Sequence, residues 1–196
     1  MNLILPSQQG FTLTELMIAL AVAAILAALA VPSFFETVRT SRLTAQTDEL
    51  IATLNLGRSE ARKSGARVSL CRSADGNTCA TTGGWEQGWV LFVDTDSDGA
   101  HNTSTTPPIP EPILRVQQAL PPGYSLRASA ALANVIGFLP NGDITANGLL
   151  VNCFNTTLAG ARAVTVNTGG AVRQLADTDG DKIPNNGANI GSCTTP

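Results

Sequence analysis

Sixteen consecutive residues, Leu16 to Val31 (LMIALAVAAILAALAV), carry no charged or hydrogen-bonding side chain. As a helix this run spans roughly 24 Å. With Leu13 and the Phe34-Phe35 pair it reaches about 34 Å, enough to cross a hydrocarbon core of about 30 Å. Ala and Leu favour helix, and Pro32 bends the stretch rather than ending it. The rest of the 196-residue chain is rich in Gly, Asn, Thr and Asp, and only 14% of the whole is charged. That length fits one or two domains and excludes a large multidomain enzyme. A net charge of −3 argues against a dedicated nucleic-acid coat, which needs a basic face.

A secretory signal peptide, cut after Ala28-Leu29-Ala30, and an ordinary membrane anchor both accommodate the apolar run. Neither explains Glu15 at its edge. A carboxylate costs roughly 2.5–3.5 kcal/mol near the centre of a membrane helix, though less near an end. The residues around it, Gly10-Phe11-Thr12-Leu13-Thr14-Glu15-Leu16 (GFTLTEL), resemble the processing site of type IV pilins and type II secretion pseudopilins. The resemblance implies that prepilin peptidase cuts after Gly10 and methylates the new N-terminal Phe11. It also makes Glu15 the family's assembly glutamate and Pro32 its helix-kinking proline. The physical logic is that a carboxylate in a filament core needs a partner, which the cationic N-terminus of a neighbouring subunit supplies. Met1–Gly10, the implied leader, contains no Lys or Arg. Arg39 and Arg42 follow the apolar run, so the positive-inside rule alone puts the C-terminus in the cytoplasm. Four cysteines argue for the oxidising side instead, and we follow the cysteines.

From Thr37 to about Arg62 the pattern turns amphipathic. Leu43, Leu50, Leu54, Gly57 and Ala61 fall on one helical stripe, which needs a cover. We expect one helix from Phe11 to Lys63, about 80 Å long, ending near Gly65 and packed on a β-sheet. Eight short strands follow: 67–71, 88–94, 113–117, 124–127, 135–138, 149–153, 163–166 and 171–175, the last two joined by the hairpin signature Asn167-Thr168-Gly169-Gly170. Thr103–Pro112 reads as a loop and Asp177–Pro196 as an irregular tail. The fold class is α+β. Its expected parts are a leader (1–10), a transmembrane helix half (11–35), an amphipathic helix half (36–64) and a β-rich periplasmic head (65–196).

Leu56–Cys71 (LGRSEARKSGARVSLC) and Gly83–Gly99 (GGWEQGWVLFVDTDSDG) resemble the GspH/FimT group of minor pilins and pseudopilins. The resemblance implies the type IV pilin fold and a structural subunit at or near a filament tip that helps prime assembly. The implied partners are other minor subunits, the major pilin, prepilin peptidase and the inner membrane. A type IV pilus and a type II secretion pseudopilus remain alternatives, as does a FimT-like receptor for DNA. For the last, the family's Gly-Arg-x-Arg turn corresponds to Gly170-Ala171-Val172-Arg173, with Ala171 in place of the first arginine. Arg162, Arg173 and Lys182 make a thin cationic patch, and the nearby Asp177, Asp179 and Asp181 repel phosphate, so DNA is disfavoured.

Four cysteines allow three pairings. Loop geometry favours Cys71 with Cys79 and Cys153 with Cys193, and the absence of any C-x-x-C disfavours zinc. Asp94, Asp96, Asp98 and Gly99 copy the first half of a calcium loop, but Thr105 stands where its closing acid belongs and Glu111 lies six residues beyond. Asp177, Asp179 and Asp181 begin a second such loop, with Lys182 in place of glycine. Solvated acidic turns explain both loops without an ion. No cofactor is called for, and calcium is the one ion that the spacing admits. The single histidine, His101, lies in a polar loop without an acid partner, so the inventory supports no enzyme. Trp85 and Trp89 read as core anchors. In cells containing prepilin peptidase, intact-mass and N-terminal analysis of membrane-extracted protein is expected to find a chain beginning at N-methylated Phe11. A start at Val31 contradicts that and indicates a secreted domain.

Overall fold

The computed structural model describes residues 10–103, 111–185 and 187–196. Side chains 29–33, Pro32 included, lie outside the described residues, as do most of the leader (1–9) and of the expected 103–112 loop. The chain forms two compact units, one up to Thr40 and one from Ser41 to Pro196. Helix α1 (Leu13–Ser64) belongs to both. It begins two residues later than expected because Thr12 is its N-cap. It ends at Gly65, whose φ of +66° an L side chain resists, and whose N–H is donated to Ala61 O at 3.1 Å.

In the second unit the eight strands are β1 (Arg67–Arg72), β2 (Trp89–Asp94), β3 (Ile113–Gln117), β4 (Tyr124–Ala128), β5 (Val135–Phe138), β6 (Gly148–Phe154), β7 (Thr157–Val166) and β8 (Val172–Gln174). Among the described residues they divide into two antiparallel four-stranded sheets, β3-β2-β1-β5 and β4-β6-β7-β8, where a single sheet was expected. The division follows from the pairing of β5. Ser69 faces Gly137 and Leu70 faces Ile136, so β5 closes the edge of the first sheet while β4, just before it, pairs with β6. A short 3-10 turn at Ala130–Leu132 carries the chain across. Strand β7 starts at Thr157, six residues earlier than its apolar segment, because β6 offers it a partner along most of its length.

The expected helix stripe is the core. Leu43, Leu50, Leu54, Gly57 and Ala61 are all buried. Leu50, Leu54 and Ala61 pack in one cluster with Leu70, Leu91, Ile136 and Phe138 of the first sheet and with Leu126, Leu150, Val164 and Val166 of the second. Trp85 and Trp89 are buried in the same cluster. The seam is tightest at Gly57, where an added Cβ would lie 3.0 Å from both Leu91 Cδ1 and Phe138 Cδ2. Polar ties also join the helix to the sheets: Asn152 Nδ2 donates to Gln46 Oε1 at 3.0 Å, and Arg115 Nη2 of β3 lies 2.7 Å from Glu49 Oε1.

Strand alternation puts a second apolar set on the outer face of each sheet. On the second sheet, Val151, Cys153, Ala161 and Ala163 are covered by Ile190 and Cys193 from the C-terminal tail. On the first, Cys71, Val90 and Phe92 cluster with Cys79 and Val135. The tail is irregular, as expected, yet Ile190 and Cys193 are buried.

Leu54→Ala removes a fully buried side chain from the seam and is expected to cost about 2–5 kcal/mol. Gly57→Leu is expected to destabilise as well, because overpacking outweighs the gain of about 1 kcal/mol in helix propensity. Exposed Asn55→Ala should stay within about 0.5 kcal/mol of wild type. Urea unfolding followed by Trp85 and Trp89 fluorescence measures all three.

Candidate functional site

In the first unit, helix α1 presents apolar side chains on every side. Phe11, Leu13, Leu16, Met17, Ile18, Leu20, Val22, Ile25 and Leu26 are each more than half exposed. A helix apolar all round has to be covered by lipid or by other helices. Among the described residues no helix is long and apolar enough to cross a membrane. The described apolar side chains run to Ala28 and resume at exposed Phe34 and Phe35, and the apolar sequence goes on between them through Leu29, Ala30 and Val31.

The start of this helix is a reciprocal capping box. Thr12 Oγ accepts from Glu15 N at 3.3 Å, and Glu15 Oε2 accepts from Thr12 N at 2.9 Å and from Thr12 Oγ at 2.8 Å. The T-x-x-E spacing of Thr12 and Glu15 carries this signal in the sequence, and our reading missed it. Gly10 and Phe11 precede the cap, so the bond between them lies outside the helix.

The cysteines pair as Cys71–Cys79 and Cys153–Cys193. The first closes the turn after β1, where Asp75 accepts from Asn77 N, Thr78 N, Thr78 Oγ and Ser73 Oγ; those bonds hold its carboxyl far below the usual range. The second fastens the tail to β6.

The expected acidic loops behave differently. In the loop after β2, Asp94, Asp96 and Glu111 bring carboxylate oxygens within 4.8 Å of one another. Asp98 is not among them; its Oδ1 accepts from Ala100 N at 2.7 Å. Glu111, six residues beyond the closing position of a calcium loop of ordinary length, is the third member of the cluster. It is buried, with Oε1 accepting from Thr95 N at 3.0 Å and Oε2 from Asn102 N at 2.8 Å. Asp94 is fully buried and paired with Arg67, whose Nε lies 3.0 Å from its Oδ2. His101 joins this region to the disulfide turn: Nε2 lies 2.9 Å from Glu111 O, Nδ1 lies 2.6 Å from Asn77 O, and the ring meets Phe92 edge-on. Asp177, Asp179 and Asp181 also lie close together, but all three are exposed. Both oxygens of Asp177 accept amides of their own turn, from Gly180 and Lys182. Those bonds lower its carboxyl, whereas desolvation beside its neighbours raises that of Asp179.

The candidate DNA-binding residues do not converge. Arg173 pairs with Thr165 and Arg162 with Asn152, positions of opposite parity, so the two arginines lie on opposite faces of the second sheet. Arg58, which sequence reasoning left unassigned, holds the β7–β8 hairpin instead. It donates through Nε to Gly142 O at 3.1 Å and through Nη2 to Gly169 O at 2.8 Å.

A helix that is bare in its first part, packed against sheets in its second and preceded by a Gly-Phe junction defines a pilin-like protein. The family model described as type II transport protein GspH matches residues 46–170, and the prokaryotic N-terminal methylation motif matches residues 5–31. The chain therefore belongs to the GspH family, the minor pilins and pseudopilins of type IV pilus and type II secretion systems. Its fold is similar to that of the type IV minor pilin FimU of Pseudomonas aeruginosa in two crystal forms. The TM-score is 0.50 for both, at 17% and 18% identity, over 68% of this chain and 92% and 87% of those chains. The minor pseudopilin EpsH of the Vibrio cholerae type 2 secretion system aligns at a TM-score of 0.42 and 16% identity, over 69% of this chain and 97% of that one. No curated protein matches the chain in sequence.

The two disulfides close loops of different length, with sequence separations of 8 and 40. Replacing Cys71 and Cys79 together by serine is expected to cost about 2.5 kcal/mol and replacing Cys153 and Cys193 about 4 kcal/mol, on chain entropy. Denaturant midpoints of the two double variants check that order, and the reverse order contradicts it.

Proposed function

We propose that this chain is a structural minor pilin of a type IV pilus, incorporated at or near the filament tip, where it helps prime assembly. The observation that carries the reading is the bare apolar helix with a single carboxylate at its start. Before assembly the chain is held by this helix in the inner membrane, single-pass, with the disulfide-bonded head in the periplasm. Prepilin peptidase frees Phe11 and methylates it. In the filament, helices of neighbouring minor subunits and of the major pilin replace lipid around residues Leu13 to Ala28. Glu15 is then the group that sets register. Its carboxylate is satisfied by Thr12 within one chain, and in the filament the amine of a neighbour's first residue competes for it with a full positive charge.

Two disulfides and a long β2–β3 connection favour the pilus over the secretion pseudopilus. A pseudopilin in type II secretion is the second reading, favoured by the family's own description. The geometry opposes a DNA receptor, since Arg162 and Arg173 do not share a face.

Deletion of the gene is expected to deplete sheared surface filaments and leave protein secretion intact, and wild-type protein should restore the filaments. Glu15→Ala should be cleaved after Gly10 but be depleted from the filament fraction by more than about tenfold, since breaking a buried ion pair costs about 3–5 kcal/mol. Normal filaments with lost secretion in the deletion strain would instead support the pseudopilin reading. Wild-type incorporation of Glu15→Ala would remove the role given to its carboxylate.

A further inference from the structure

We propose that the connection between β2 and β3 binds one calcium ion, held by the carboxylates of Asp94, Asp96 and Glu111. Their oxygens lie within 4.8 Å of one another. Calcium–oxygen distances are about 2.3–2.6 Å, so two ligands on opposite sides of one ion stand about 4.8 Å apart, and the three carboxylates suit a common centre.

The independent sign of a ligand is the division of labour within Asp94. Its Oδ2 accepts from Ser69 Oγ at 2.6 Å and from Gly99 N at 3.2 Å, and pairs with Arg67 Nε at 3.0 Å. Its Oδ1 is buried and has no hydrogen-bond partner, on a residue with no exposed surface at all. A buried carboxylate oxygen without a donor is costly unless something cationic meets it. Arg67 is already committed to Oδ2. Among the described residues the cluster's one ion pair is that of Arg67 with Asp94, and Asp96 and Glu111 make none.

Donor chemistry narrows the ion further. The three side chains of the cluster all offer carboxylate oxygens, which selects hard cations over zinc or copper. His101 is adjacent but engaged, with a carbonyl oxygen at each ring nitrogen. Each oxygen of Glu111 accepts one backbone amide and keeps a second lone pair for a metal. Asp96 is exposed, is oriented by Asn102 Nδ2 at 2.8 Å, and gives an ion its way in. Three carboxylates completed by water suit the irregular six to eight ligands of calcium better than the strict octahedron of magnesium.

The scaffold stands without the ion. Asp94 ends a central strand. Glu111 is positioned through His101, which also receives support from the Cys71–Cys79 bridge, its N–H being donated to Cys79 Sγ at 3.4 Å. A preformed site with an opposing arginine fits the affinity of extracellular modules, on the order of 10⁻⁴–10⁻³ M. This inference holds for either filament system.

The test is calorimetric titration of the full chain, stripped with EDTA in detergent micelles, with calcium chloride. We expect one saturable site and a higher unfolding temperature with calcium than with EDTA. Asp96→Asn and Glu111→Gln should each weaken binding at least tenfold. Both residues can lose a charge without exposing Arg67, unlike Asp94, whose replacement risks misfolding. Asp179→Asn in the exposed second loop should leave the titration unchanged. Absence of saturable binding by folded wild type would overturn the proposal, as would full affinity in both Asp96→Asn and Glu111→Gln, or loss of binding in Asp179→Asn. Equal affinity for magnesium chloride would overturn the assignment to calcium.

Discussion

Gly57 lets helix α1 approach Leu91 and Phe138 so closely that even a methyl group would crowd them. Around that contact Leu50, Leu54 and Ala61 reach both sheets at once, so the helix is the shared wall of a core that neither four-stranded sheet closes alone. The outer faces then need covers of their own. The tail with Ile190 and Cys193 supplies one, and the Cys79 turn contributes to the other. Each disulfide therefore lies on a sheet face turned away from the helix, where it fastens irregular chain.

The same helix solves a different problem in each unit. From Ser41 onward its apolar stripe is satisfied within the chain. Before that, its large apolar side chains from Leu13 to Leu26 are each more than half exposed. Lipid or other helices are the only media that can satisfy a surface apolar all round. That requirement, more than any single motif, calls for lipid or other helices around the first part of the helix.

Much of this was legible in the sequence because it is written in local periodicity. The helix stripe, the eight strands and the Gly65 stop each depend on residues within a few positions of one another. What stayed hidden depends on long-range pairing. No local pattern tells that β4 joins β6 while β5 joins β1, so the split into two sheets could not be read. Glu111 sits too far from Asp94 for a loop template, and only the fold brings the two together through His101. Arg58 lies near the helix end, and its role as a hairpin clasp is set by carbonyls 84 and 111 residues away. Thr12 differs from these: its capping of Glu15 is local and is written in the T-x-x-E spacing.

The central claim is that residues Leu13 to Ala28 lie against other pilin helices in the assembled filament. A photoreactive amino acid at Ile25, activated in intact cells, tests it most directly. The account predicts covalent adducts with other pilin subunits, lost when Glu15 is replaced by alanine. Adducts with lipid alone, in cells where this chain is cleaved and filaments are abundant, would contradict it.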